Sequence, residues 1–140
     1  MFCRELRFSR VEAEYWFKQA VEDFKLAEKL LSDGKYNYSA FLAHQAAEKI
    51  LNALIIEVLR EIPPRVHNLL ELGEALRKTG IDMAEVEDGL KYLNPHYLTS
   101  RYPDAANGVP TEVYSRRMAE LCLQSAKRVL AWAENLLEKK

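Results

Sequence analysis

Apolar side chains recur at intervals of three and four residues along most of this 140-residue chain, and this spacing constrains its fold more than any other feature. In the second segment the repeated positions are Ala40, His44, Ala47, Leu51, Leu54 and Val58. Such a period places the side chains on one face of an α-helix. Because no window alternates apolar and polar residues between turn signals, no β-strand is predicted. The chain is therefore expected to be all-α.

Turn and capping residues divide the pattern into four to five helices. Ser9-Arg10-Val11-Glu12 has the sequence of a capping box, and Asp33-Gly34 supplies a glycine at the end of the first helix. Pro63-Pro64 stops the second helix. The expected helices span residues 9–33, 37–62, 68–79, 82–94 and 110–137. Short connections between such helices predict an antiparallel up-and-down helical bundle.

Length and composition are those of one soluble domain over residues 1–140, with residues 1–8 as a short N-terminal extension. The formal net charge of −1 excludes a broad basic surface, so any RNA contact has to be local. Cys3 and Cys122 lack metal-ligand spacing, and neither a metal nor a cofactor is predicted. The longest apolar run, residues 53–56, is too short to cross a membrane, and the N terminus lacks a signal peptide. These features predict a cytoplasmic protein.

The stretch from Leu93 to Asp104 interrupts the helical pattern and is the strongest candidate for a functional segment. Two prolines break it, and it concentrates side chains that can bind, stack or titrate. These side chains are His96, Tyr97, Arg101, Tyr102 and Asp104. Connecting segments held by rigid elements often carry functional residues. A site is therefore predicted on this loop and on the helix face beneath it.

Arg101 is the leading candidate within that segment, since its planar fork suits bidentate binding of a phosphate. The alternative role is a structural ion pair with Asp104 or Glu48 that holds the loop to the bundle. Tyr97 and Tyr102 could stack on a base or simply cap the core. Asp104 is expected to organise the turn.

The second helix and the loop after it supply the other candidates. His44 lies on the apolar stripe, where it either faces a binding cleft or is a core histidine. Glu48 and Lys49 are expected on a solvated helix face or in an i,i+4 network, and Lys49 matters only if the loop brings an anion to it. His67 either caps the third helix or faces the same cleft as His44.

Three elements together resemble the HEPN family, the small all-α domains of higher eukaryotes and prokaryotes. They are the segment Tyr38-Ser39-Ala40-Phe41-Leu42-Ala43-His44-Gln45-Ala46-Ala47-Glu48-Lys49-Ile50-Leu51-Asn52-Ala53-Leu54, then His67 after a proline pair, then Tyr97 followed by Arg101-Tyr102-Pro103-Asp104. The resemblance extends from about Trp16 to Leu137. It implies a bundle of four main helices that is usually dimeric. It also implies nucleotide binding, and the toxin half of a toxin–antitoxin pair with a minimal nucleotidyltransferase.

Many HEPN proteins are metal-independent ribonucleases with an arginine and a histidine four to six residues apart, and this chain departs from that pattern. No histidine follows Arg101, because the histidines of the chain are His44, His67 and His96. Arg60 and His67 have the spacing, but Pro63-Pro64 lies between them and the pair falls too early in the chain. The nuclease motif is therefore not assigned here.

The resemblance and the candidate residues lead to one function with two alternatives. The first hypothesis is a nucleotide- or RNA-phosphate-binding cleft between the second helix and residues 95–104, in a toxin-type protein with a nucleotidyltransferase partner. The alternatives are a ribonuclease with an unusual arginine and histidine set, or a helical interaction module without a ligand. A homodimer is predicted because Tyr15, Trp16 and Trp132 exceed what a small bundle's interior readily holds.

Overall fold

The computed structural model describes residues 6–139 and contains helices and connecting loops but no strand in that range. The long helices are α1 (Val11–Ser32), α2 (Tyr36–Leu54) and α8 (Arg116–Lys139). Two shorter helices are α3 (Leu69–Arg77) and α4 (Glu87–Leu93). Three single turns follow α4, namely α5 (His96–Thr99), α6 (Pro103–Ala106) and α7 (Pro110–Val113). The prediction of an all-α antiparallel bundle is confirmed.

Helix α2 is the centre of the bundle and packs against both α1 and α8, while α3 lies on α2 and α4 lies on α8. Its buried face is rich in alanine, which lets neighbouring helices approach closely. The fully buried alanines of α2 are Ala40, Ala43, Ala46, Ala47 and Ala53. Larger side chains such as Phe24, Leu51 and Leu130 fill the space between the three long helices. The apolar stripes predicted from the sequence form this core.

The end of α2 differs from the prediction of an unbroken helix to Ile62. After Leu54 the backbone widens into a π-helical turn, Ile55–Leu59, and the helix stops at Arg60 in the left-handed region with a φ of 58°. A π-turn rotates the following side chains relative to an α-helix. Val58, predicted on the buried stripe, is 38% exposed, whereas Glu57 is 1% exposed.

The start of α1 also differs from the prediction, because Ser9 does not form a capping box with Glu12. Arg10 is the N-cap residue and its side chain makes no capping hydrogen bond. Instead the Ser9 N–H, the Ser9 hydroxyl and the Arg10 N–H all donate to the carboxylate of Glu57 at 2.7–3.1 Å. A distant buried carboxylate therefore caps α1, and we name this contact the Glu57 latch.

Other helix boundaries follow local signals, with two corrections. The third helix begins where it was expected, and Asn68 caps it instead of His67, its side-chain oxygen accepting the N–H groups of Leu70 and Glu71. The fourth helix was expected to begin at Asp82, but this part of the chain forms only a turn. The Asp82 carboxylate accepts the Ala84 N–H, and α4 begins five residues later. Residues 110–113 form the separate turn α7, and the last helix begins after an extended Tyr114.

Two residues used in the sequence arguments have a clear environment. Trp132 is 5% exposed, and its indole N–H donates to the Asp82 carbonyl at 3.1 Å. The expectation that the interior of the bundle cannot hold this side chain is therefore wrong. Cys122 is a free, fully buried thiol, and burial raises its pKa to about 12. Cys3 lies outside the described residues. Among residues 6–139, none of the helices has the length and apolarity needed to cross a membrane.

Candidate functional site

The segment predicted as an irregular loop is held rigidly against the bundle by buried polar contacts. Asn37 of α2 donates from its side-chain amide to the Ser100 carbonyl at 3.0 Å. The Tyr114 hydroxyl lies 2.6 Å from His96 Nδ1 and 2.7 Å from the Thr99 hydroxyl. His96 is 7% exposed, and burial lowers its pKa. His96 is thus a structural anchor of the segment, which is preorganised as single helical turns.

Tyr97 on α5 is the centre of the site. The His67 ring stacks on it at a centroid distance of 4.2 Å and an interplanar angle of 12°. His67 Nδ1 lies 3.0 Å from Glu48 Oε1. Glu48 is 6% exposed, so its expected position on a solvated face is wrong, whereas the His67 side chain is 53% exposed. A buried carboxylate thus orients an accessible imidazole, and His67 faces the cleft instead of capping α3.

Arg101 approaches the same tyrosine. Its Nε and Nη2 atoms donate to the Tyr97 carbonyl at 2.9 and 2.7 Å. Its Cζ atom lies 4.4 Å from the Phe41 ring centroid, 4.5 Å from that of Tyr97 and 4.9 Å from that of Tyr102. A guanidinium surrounded by aromatic rings is held by cation–π attraction as well as hydrogen bonds.

The alternative of a structural ion pair between Arg101 and Asp104 or Glu48 is wrong. Neither carboxylate pairs with the guanidinium, because Glu48 is taken by His67 and Asp104 lies exposed on α6. Arg101 is instead positioned by a neutral carbonyl, and its Nη1 atom makes no hydrogen bond within residues 6–139. Its positive charge is therefore not neutralised by either of the acids proposed from the sequence.

His44 lies beneath the stack, with its ring centroid 5.4 Å from that of Tyr97. It is fully buried, and its Nδ1 lies 3.2 Å from the Gln45 amide nitrogen. Burial lowers the His44 pKa to about 3. The electrostatic effects of His67, His96 and Arg101 also lower this pKa, while the His67 backbone raises it. Its Nε2 atom has no hydrogen-bond partner in the described part of the chain. The ring is therefore neutral and supports the stack from within the core.

Two of the residues predicted for ligand binding lie apart from the stack. Lys49 Nζ is 2.5 Å from Asp23 Oδ2, which directs the ammonium toward α1. Asp104 is exposed and makes none of the contacts that join the other candidates. Tyr102 is 47% exposed and contacts Arg101 with its ring. The structure thus brings together Tyr97, Arg101, Tyr102, His67, Glu48 and His44.

A cavity of about 730 Å³ adjoins this cluster on the side of His67. It lies between the start of α1, the end of α2 and the 60–67 loop, and Glu48 and His67 form part of its wall. None of its other polar residues was predicted to bind a ligand, and these are Arg10, Glu12, Asn52, Arg60, Glu61 and Arg65. The sequence signal for Arg60 and Arg65 is the proline pair Pro63-Pro64 that lies between them. Within residues 6–139 there is no group of three or more histidine, cysteine or acidic side chains able to hold a metal.

The fold and site define a class of small helical-bundle proteins in which a rigid turn presents an arginine–tyrosine–histidine cluster beside a cavity. Comparison with known proteins identifies the class: the HEPN domain matches residues 13–136. The chain belongs to the HEPN family. This confirms the resemblance found in the second helix and in Arg101-Tyr102-Pro103-Asp104.

Individual relatives agree with this assignment. A candidate toxin of Methanocaldococcus jannaschii is 30% identical, with 91% of this chain and 90% of that protein covered. A Thermus thermophilus protein of known structure superposes with a TM-score of 0.80, 31% identity and coverage of 88% and 96%. An archaeal HEPN homologue of known structure superposes with a TM-score of 0.73 and 32% identity, with 89% of this chain and 97% of that chain covered. A Thermotoga maritima HEPN domain protein, at 23% identity and a TM-score of 0.72 over 90% and 99%, shares the fold.

Proposed function

We propose that this protein is a toxin-type HEPN protein that binds a nucleotide or an RNA phosphate in the cleft between α2 and residues 95–104. The observation that carries the proposal is the cluster on Tyr97. Arg101 and His67 both contact this one ring, so two groups able to bind an anion lie close together. A guanidinium suits phosphate oxygens, and Arg101 Nη1 is not engaged by residues 6–139.

The aromatic side chains divide the remaining roles. Tyr97 already contacts His67 and Arg101, so it positions those groups more than it binds a base. Tyr102 is 47% exposed beside the guanidinium and can stack on a base whose phosphate contacts Arg101. His44 supports the cluster, while Lys49 and Asp104 are secondary in this proposal.

The paired Glu48 and His67 favour a second candidate, metal-independent cleavage of RNA. A carboxylate on Nδ1 orients an imidazole so that Nε2 can accept a proton, as general base catalysis requires. His67 would take the proton of a ribose 2′-hydroxyl as its oxygen attacks the adjacent phosphorus, and Arg101 would stabilise the charge gained by the phosphoryl oxygens. The bond from phosphorus to the 5′-oxygen would break, and the proton held by His67 would pass to that oxygen, directly or through water, to leave a 2′,3′-cyclic phosphate and a free 5′-hydroxyl. This arginine and histidine set differs from the usual family motif.

Replacement of Arg101 tests both candidates. With a fluorescent oligoribonucleotide as probe, Arg101→Ala and Arg101→Lys are each expected to bind at least about tenfold more weakly, since lysine keeps the charge but loses the fork. Arg117→Ala, an exposed arginine on α8, is the matched control and should bind normally. Cleavage of the probe in EDTA by the wild type, lost in His67→Gln, would identify a nuclease. Unchanged binding in both Arg101 variants would contradict the proposed site. A wild type that binds no probe would contradict both candidates and favour the third hypothesis, an interaction module without a ligand.

We also propose that the protein forms a homodimer and acts with a separately encoded nucleotidyltransferase. The support for self-association is exposed apolar surface, including Tyr15 at 65% and Ile62 at 92%. The support for the partner is the relative described as a candidate toxin. Light scattering at tens of micromolar is expected to give twice the 16.2 kDa of the chain, and Tyr15→Glu to shift it toward the monomer. A wild-type monomer would contradict the dimer.

A further inference from the structure

The cavity beside His67 changes in polarity from its floor to its mouth. Glu48 and Asn52 lie one turn apart on the same face of α2, line the cavity, and are 6% and 5% exposed. Arg10, Arg60 and Arg65 line it with exposed side chains at the protein surface. Trp16, Ile56 and Pro63 supply apolar walls. A ligand that fits must therefore be polar at one end, flat and apolar in the middle, and anionic at the other end.

The two buried polar residues of the floor carry hydrogen-bond acceptors that have no donor between residues 6 and 139. Asn52 Oδ1 is buried and has no partner among the described residues. Of the Glu48 carboxylate oxygens, Oε1 accepts from His67, and Oε2 makes no hydrogen bond with residues 6–139. A buried acceptor without a donor is unfavourable by about 1–3 kcal/mol. The floor is therefore complementary to a ligand edge that carries adjacent N–H donors.

The mouth of the cavity has the opposite character. Arg10, Arg60 and Arg65 form no ion pair within residues 6–139, and the Arg60 backbone lies in the left-handed region at a φ of 58°. Glu12 and Glu61 also line the cavity, so its rim is of mixed charge and the arginines act locally. The volume of about 730 Å³ lies within the range of small-molecule sites.

We propose that this cavity binds the guanine base of a nucleotide or an RNA, with Glu48 and Asn52 accepting from the N1–H and N2 amino groups. Trp16 lies along the flat face of the base, and the sugar-phosphate extends toward the arginines of the mouth. This inference rests on the proposed function, nucleotide or RNA-phosphate binding beside His67, and adds the identity of the base. In an RNA, the guanine base occupies the cavity and the phosphate of a neighbouring nucleotide contacts Arg101, whereas a free nucleotide places its own phosphate at the arginines of the mouth.

Guanine is favoured because of the donors along its Watson–Crick edge. It presents two adjacent nitrogen donors, whereas adenine places the acceptor N1 beside its amino group, and cytosine places two acceptors beside its own. Uracil has one N–H between two carbonyl oxygens. Each of these three bases would set a lone pair against Glu48 or Asn52. Buried polar groups that are left unpaired by the wrong ligand give strong discrimination.

Calorimetric titration of the full chain with GMP, IMP and AMP tests the inference. GMP is expected to bind at least about tenfold more tightly than AMP, and IMP, which lacks the N2 amine, to lie between them. Two oligouridylates with a single central guanosine or adenosine are titrated in parallel. Tighter binding of the guanosine oligonucleotide than of GMP identifies RNA as the source of the base, whereas equal or weaker binding identifies a free nucleotide.

Substitution of Asn52 provides the matched comparison. Asn52→Leu removes the acceptor with little change in size and is expected to abolish the preference for guanine over adenine. Asn52→Asp keeps an acceptor and should retain the preference. Gln124→Leu, the same loss of an amide at an exposed position of α8, should change nothing.

The outcomes separate this inference from the proposed function. Binding of both oligonucleotides with equal affinity, weakened by Arg101→Ala, would overturn guanine recognition and leave the proposed function standing. Guanine preference lost in Asn52→Leu but unaffected by Arg101→Ala would support guanine recognition and overturn the placement of the phosphate on Arg101. Absence of binding to any of the five probes would overturn both.

Discussion

Replacement of Glu57 by alanine is expected to lower the free energy of unfolding by about 3–5 kcal/mol, the largest loss expected from any single polar side chain in the bundle. Glu57 is 1% exposed, and its carboxylate accepts from the N–H and hydroxyl of Ser9 and from the N–H of Arg10. Hydrogen bonds to a charged group contribute about 1.5–3 kcal/mol each, and the alanine variant leaves the partly buried donors without an acceptor. The total stability of a domain is only about 5–15 kcal/mol.

Thermal and urea unfolding followed by circular dichroism measure this effect. A fall of about 10 °C or more in the melting temperature is expected for Glu57→Ala. Glu57→Gln keeps one acceptor oxygen and should lose less stability. Glu61→Ala, which removes an exposed carboxylate four residues away, is the matched control and should change the free energy of unfolding by less than about 0.5 kcal/mol. Equal stability of the Glu57→Ala and Glu61→Ala variants would show that the Glu57 latch does not stabilise the fold.

The second large effect is a loss of stability in acid that originates at His44. Burial lowers its pKa from 6.5 to about 3 in the folded protein. Below pH 6.5 the unfolded chain therefore binds a proton that the folded chain does not, and stability falls as the pH is lowered until the folded pKa is reached. The slope is about 1.4 kcal/mol per pH unit, so about 2 kcal/mol is lost between pH 7.5 and pH 5. The lowered pKa of His96 acts in the same direction.

Urea unfolding at those two pH values, compared between the wild type and His44→Gln, measures the contribution. The variant cannot bind the proton, so its loss of stability between the two conditions should be smaller by about 2 kcal/mol. Ile50→Val, which weakens the core without a titratable group, controls for a lower starting stability and should keep the wild-type pH dependence. The same pH dependence in wild type and His44→Gln would show that the buried ring does not titrate as its burial implies.

The sequence predicted those parts of the fold that depend on neighbouring residues. The third helix begins at its predicted position, next to Asn68, and Asp33-Gly34 ends α1 with Gly34 at a φ of 76°. Such signals are local in the chain and can be recognised from residue type and spacing. The period of the apolar residues likewise identified the buried faces of α1, α2 and α8, and with them the bundle.

The features that the sequence did not predict depend on contacts between distant residues. Ser9 and Glu12 have the pattern of a capping box, but a carboxylate 48 residues away binds Ser9 instead. Val58 continues the apolar period, but the π-turn rotates it outward. Asp104 and Glu48 were the expected partners of Arg101, but the Tyr97 carbonyl and three aromatic rings hold it.

The candidate site was predicted in the same uneven way. The cluster of Tyr97, Arg101 and His67 follows from residues already singled out, because a helix face and a loop rich in functional side chains converge there. The stacking of His67 on Tyr97 was not predicted. The cavity beyond it was not predicted either, since Asn52 and Arg65 carry no distinctive local pattern. They line one cavity because the 60–67 loop lies beside the end of α2.

The Glu57 latch has a consequence for the order in which the protein folds. The floor residues Glu48 and Asn52 are set on their helix by local contacts as soon as α2 forms, on the microsecond timescale of helix formation. The mouth residue Arg10 is positioned through a backbone N–H that bonds to Glu57 across 47 residues, so it cannot be placed until α1 has docked on α2. Closing a loop of that length carries an entropic penalty that must be met before the contact forms. The cavity is therefore complete only after α1 and α2 have packed against each other. During folding, the floor residues are in place on α2 before Arg10 reaches the mouth.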